Sequence, residues 1–120
     1  MTKINTFVTA EEREAIIPSL GYNYLLLKVE GPSLQGDEWC VRIGNPSLKH
    51  RQILSMVEEE FKGRGLSVKA AGGGKLAFSP DKTTVTLFGR SADFGREHDR
   101  GLTASVIQKE VPDFTVEVKD

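Results

Sequence analysis

A chain of 120 residues suffices for one domain with a real core and is too short for two ordinary ones. Sixteen Lys and Arg against seventeen Asp and Glu leave a formal charge of −1, without the electrostatic footprint of a dedicated DNA or RNA binder. Hydrophobic residues at 38% and charged residues at 28% are the balance of a folded domain, which excludes a disordered tail.

Cys40 is the single cysteine, so no intramolecular disulfide and no thiol-rich metal cage can form. Apolar runs such as Tyr24–Leu27 fall far short of the ~20 residues of a membrane span. No apolar stretch follows Lys3 in the manner of a signal peptide. The expectation is a cytoplasmic protein with no membrane or nucleic-acid partner, no metal and no cofactor. It is expected to be a monomer, because no heptad or long apolar helix asks for a partner.

Residues 1–20 are read as an N-terminal extension and 21–120 as the domain. In the extension, Thr9-Ala10-Glu11-Glu12 has the spacing of a capping box and opens a short helix that Pro18 ends. The domain starts with a strand over 22–30, apolar enough to be buried on both faces, and Gly31-Pro32 stops it. A polar turn around Gln35-Gly36-Asp37 leads to a second strand over 38–43. Asn45-Pro46-Ser47 opens a helix over 47–62, where Leu54, Val57 and Phe61, with Ile53 beside them, form one apolar stripe. Glu58-Glu59-Glu60 falls on its wet side.

A strand over 66–71 is expected to break at Gly72-Gly73-Gly74. Residues 75–79 and 83–88 then form a hairpin around Ser79-Pro80-Asp81-Lys82. The polar stretch 89–101 reads as a loop, with Glu97-His98-Asp99-Arg100 solvated or starting a helix. A second helix is placed at 102–110 on Leu102, Val106 and Ile107. The last strand, 114–118, should turn Phe114, Val116 and Val118 inward. The order β-β-α-β-β-β-α-β predicts an α+β domain, a sheet covered by two main helices.

Several motifs fall short of chemistry. The glycine triplet before Lys75 is not a phosphate-binding loop, since position 69 is Lys where the pattern needs Gly and position 76 is Leu where it needs Ser or Thr. A tight turn or bulge is the plainer reading. His98 has only its neighbours Glu97 and Asp99, and adjacent residues rarely converge on one ion. Cys40 between Trp39 and Val41 suits a small core hydrophobe better than a nucleophile or redox thiol. His50 is different. It stands in the first turn of the long helix, where free backbone N–H groups and the positive dipole end favour an anion. Lys49 and Arg51 add positive charge, and all of these disfavour imidazolium. A neutral imidazole there can attack phosphorus or take a proton from water. The same position also suits a half-buried histidine that only packs.

Tyr22 to Val29, Glu38 to Arg42, Lys49-His50-Arg51, Gly72-Gly73-Gly74-Lys75, Gly89 to Gly95 and Val111-Pro112-Asp113-Phe114 follow one another in an order and spacing similar to those of the small protein-histidine phosphatases, the Janus/Ocnus family. The resemblance covers about residues 21–118. It implies a six-stranded mixed sheet between two helices and metal-free hydrolysis of phosphohistidine on proteins, so the implied partners are phosphohistidine-containing proteins or peptides. It places the essential histidine at His50, the phosphate-side arginine at Arg42 and the basic residue after the glycines at Lys75. The hydroxyl falls on Ser91, whose loop would offer the amides of Ala92 and Asp93 to phosphate oxygens. Lys49 and Arg51 complete the basic surround. The chain departs from the family pattern at Asn23, where relatives carry lysine, and at Asp93, where they carry a small residue. The alternative is a non-catalytic module that binds phosphate or a phosphoprotein in the same pocket.

Overall fold

The computed structural model describes residues 17–32, 34, 38–44 and 47–119. The expected N-terminal helix and the turn around Gln35-Gly36-Asp37 lie outside them. In chain order come β1 (Tyr22–Glu30), β2 (Glu38–Gly44), α1 (His50–Lys62), β3 (Ser67–Phe78), β4 (Thr84–Phe88), α2 (Arg100–Glu110) and β5 (Thr115–Val118). Among the described residues the strands form one mixed sheet in the order β2-β1-β3-β4-β5. All neighbours are antiparallel except β4 and β5, which run parallel.

The sheet has a core on each face. Leu25, Leu27, Val29 and Cys40 meet Ile53, Val57 and Phe61 of α1 on one side. Tyr24, Leu26, Val41, Leu76 and Leu87 meet Ile107 of α2 on the other. This is why Tyr24 to Leu27 is an unbroken apolar run: alternate residues of β1 feed opposite cores. The buried stripe of α1 is His50, Ile53, Val57 and Phe61, so the histidine occupies a core-facing position and Leu54 only flanks it. Gln52 accepts the Lys49 amide and closes the helix start, which falls at His50, three residues later than Ser47.

The sheet has five strands where six were expected. Residues 67–78 are a single strand, and Gly72, Gly73 and Gly74 stay in the ladder opposite Leu26, Leu25 and Tyr24. A register shift between Leu26 and Leu27 leaves Ala71 as the extra residue of a bulge. The glycines make room for close neighbours. A Cβ on Gly73 would collide with the Tyr24 carbonyl, and one on Gly72 would lie 2.5 Å from the Glu97 backbone. At the far edge β5 is short, and Val118 is exposed instead of turning inward.

The segment expected to be solvated, Glu97 to Arg100, is half buried. His98 is exposed and Asp99 caps α2 by accepting the Leu102 amide, whereas Glu97 and Arg100 are interior. Glu97 Oε2 accepts the Tyr24 and Thr103 hydroxyls, both at 2.6 Å. Its Oε1 accepts Arg100 Nε at 3.2 Å and Nη2 at 2.9 Å. Burial works to raise the Glu97 carboxyl, but these hydrogen bonds outweigh it and hold the group below the usual carboxylate range. Tyr24 is driven the other way, by burial and then by the Glu97 carboxylate, and keeps its proton.

Cys40 is fully buried, and burial pushes its thiol up to about 11. The folded protein is therefore expected to resist a thiol reagent at pH 8, reacting only as fast as it opens. Labelling of native protein at the rate seen in denaturant would contradict this.

Candidate functional site

At one end of the sheet the start of α1, the start of β1 and the Gly74-Lys75 stretch of β3 meet the loop after β4. Between them lies an open pocket of about 500 Å³, lined by Asn23, His50, Lys75, Ala92 and Asp93 together with Gly21, Lys49, Arg51 and Arg90. Most of the residues singled out in the sequence therefore converge here from four separate elements. Arg90, within the Gly89–Gly95 stretch, also lines the pocket.

His50 forms part of the wall and is 6% exposed. Its Nε2 lies 2.9 Å from the Gly74 carbonyl. A carbonyl only accepts, so Nε2 carries the proton and donates, and in a neutral ring the lone pair is then on Nδ1. The tautomer is thus set by the glycine strand. Asn23, directly opposite Lys75 in the ladder, donates through Nδ2 to the Leu48 carbonyl at 2.9 Å. It ties β1 to the turn leading into α1.

The rim is cationic. Lys49, Arg51, Lys75 and Arg90 are all exposed, and Asp93 is the one carboxylate among the lining residues. A nearly neutral chain therefore concentrates four positive groups around one cavity. Asp93 is held at the helix start, where its Oδ2 accepts the Arg51 amide at 3.3 Å. That amide belongs to the first turn of α1, the set of N–H groups that suits an anion.

The loop Ser91–Gly95 is a tight turn closed on itself and stitched to β3. Ser91 N donates to Gly73 O (3.0 Å), Gly73 N to Gly95 O (2.9 Å), and Gly95 N to Ser91 O (2.9 Å). Ser91 is buried, and its Oγ accepts the amides of Asp93 (3.2 Å) and Phe94 (3.0 Å). Its hydroxyl shapes the loop and is not a lining group. Of the amides at Ser91, Ala92 and Asp93, Ala92's alone has no hydrogen bond among the described residues.

Arg42 stands apart. Its guanidinium forms a two-point bridge to Glu60, 2.9 Å from Nη1 to Oε1 and 2.8 Å from Nη2 to Oε2, and lies over the Phe61 ring. Those hydrogen bonds hold the Glu60 carboxyl below its ordinary value. Glu60 is ten residues beyond His50, about 15 Å along the helix. Arg42 thus braces the distal end of α1 and does not line the pocket.

The chain matches the model of the Janus/Ocnus family over residues 15–115, and it belongs to that family. It is 35% identical over 71 residues to the sex-regulated protein janus-A of Drosophila simulans, covering 59% of this chain and 52% of that protein. The Drosophila melanogaster protein of the same name is 34% identical over the same length and coverage. The Drosophila pseudoobscura pseudoobscura one is 23% identical over 103 residues, 82% of this chain and 68% of that protein. The chain thus spans about half the length of the first two relatives. No helix among the described residues is long and apolar enough to cross a membrane.

Proposed function

We propose that the protein is a phosphatase acting on phosphohistidine in proteins or peptides, with His50 as nucleophile or general base. The observation that carries this reading is the tautomer: with Nε2–H donated to Gly74 O, the lone pair is on Nδ1. A phosphoryl group, dianionic near neutral pH, would enter between Lys49, Arg51, Lys75 and Arg90 and meet the Ala92 amide. In the nucleophilic route, Nδ1 bonds to phosphorus as the P–N bond of the substrate breaks. The departing imidazole keeps the electron pair and takes a proton. Water then cleaves the P–N bond on His50 to release phosphate. In the general-base route, Nδ1 takes the proton of the attacking water and the same substrate bond breaks. Either route depends on positioning and on charge around the phosphoryl oxygens more than on a strong nucleophile, because the P–N bond is labile. Release of phosphate from a phosphohistidine peptide, with chelator present throughout, tests the reading; absence of turnover by the wild type would end it.

A second reading, a phosphate-binding module without turnover, is favoured by Asp93, whose carboxylate occupies an anion-suited place at the helix start. Asp93→Ala removes a like charge from the pocket and is expected to tighten binding of inorganic phosphate by about three- to tenfold at low salt. An NMR titration measures it, and unchanged or weaker binding would show that the carboxylate does not compete with the ligand.

A further inference from the structure

On the α2 side of the sheet, behind the pocket, lies a charged cluster that neither solvent nor the cavity reaches: the Glu97 and Arg100 side chains are 0% and 2% exposed. Arg100 has a third task besides its two bonds to Glu97. Its Nη2 donates to the Gly89 carbonyl at 2.6 Å. Gly89 has φ +66°, a left-handed conformation that sets the direction of the chain into Arg90 and the 91–95 loop. The same guanidinium abuts the other wall. A Cβ on Gly74, the residue whose carbonyl accepts from His50, would stand 2.8 Å from Arg100 Nη2. Glu97 in turn packs its backbone against Gly72.

We propose that Glu97 and Arg100 are positioning residues for the pocket, fixing the distance between the glycine strand that orients His50 and the loop that carries Arg90, Ala92 and Asp93. The proposal rests on the anion-site reading above and adds the part that holds the site in shape. A buried ion pair is costly to desolvate, and an apolar set of similar volume often replaces one without loss of stability. What such a set does not supply is direction. The planar Arg100 guanidinium donates twice to a carboxylate that is itself pinned by Tyr24 and Thr103, and also to the Gly89 carbonyl at the start of the loop.

The test uses the full chain labelled with 15N and the double variant Glu97→Leu/Arg100→Met, which removes both charges together. Three quantities are read: hydrogen exchange at the Ser91 and Gly95 amides, the ring 15N shifts of His50, and affinity for inorganic phosphate. The expected result is native protection of the β1 amides with exchange at Ser91 and Gly95 at least about tenfold faster. The His50 shifts move away from the Nε2–H form, and phosphate binds at least about tenfold more weakly. Wild-type loop exchange together with wild-type His50 shifts would overturn the proposal. Should the double variant not fold, Arg100→Lys, which keeps the charge and loses the fork, is judged by the same three readings. If the wild type binds no phosphate, the anion-site reading falls, while loop exchange and His50 shifts still decide the positioning role.

Discussion

Replacing His50 by alanine is expected to lower phosphate release from a phosphohistidine peptide by about two to four orders of magnitude. Among the residues lining the pocket, Lys49, Arg51, Lys75 and Arg90 are cations, and the Asp93 carboxylate already accepts the Arg51 amide. His50 is the wall residue whose neutral side chain offers a nitrogen lone pair, and with Nε2–H donated to Gly74 O that lone pair would be on Nδ1. Removing it leaves the cationic rim, so the variant should still bind inorganic phosphate within a few-fold of wild type. That split, lost turnover with retained binding, separates a chemical role from a collapsed pocket. Single-turnover phosphate release and a phosphate titration on the two proteins measure it. Full activity in His50→Ala would exclude both chemical routes.

The second large effect is on stability. Glu97→Ala is expected to cost about 3–5 kcal/mol in a denaturant titration, because it strands the Arg100 guanidinium without its carboxylate in the core. The hydroxyls of Tyr24 and Thr103 lose their acceptor at the same time. The pH dependence follows from the direction of the Glu97 shift. Its carboxyl is held below the ordinary value in the fold, so the stabilisation is fully present above the unfolded value of about 4.3. It disappears as the pH falls through the lower folded value. Wild-type stability should therefore decline steeply below about pH 4, and Glu97→Gln should decline less steeply. Identical acid profiles for wild type and Glu97→Gln would show that this carboxyl does not contribute.

The elements legible in the sequence were those whose signals are local. The run Tyr24–Leu27 announces a strand buried on both faces, the 3,4 spacing from Ile53 to Phe61 a helix, and Ser79-Pro80-Asp81-Lys82 a hairpin turn. His50 was legible for the same reason, since a helix start can be recognised from its neighbours. The glycine triplet was not, because glycine serves both to break a strand and to admit a close neighbour, and only the tertiary structure decides. Here the neighbours are the Glu97 backbone, the Arg100 guanidinium and the Tyr24 carbonyl. The burial of Glu97 depends on Tyr24, 73 positions away, so nothing local marks it as interior. Arg42 shows the converse: the family resemblance implied a place beside the phosphate, yet Glu60 in an apparently idle acidic run holds it.

The strand order has a consequence for how the chain is made. β1, the most apolar segment, lies between β2 and β3, and its partner in β3 spans residues 67–76. During synthesis β1 can form a hairpin with β2 as soon as both emerge, but its other edge then stays bare until the glycine strand has left the ribosome. An unpaired edge of this composition is a template for association with other chains. Slowing translation between residues 44 and 76 is therefore expected to increase aggregation more than slowing it after β4.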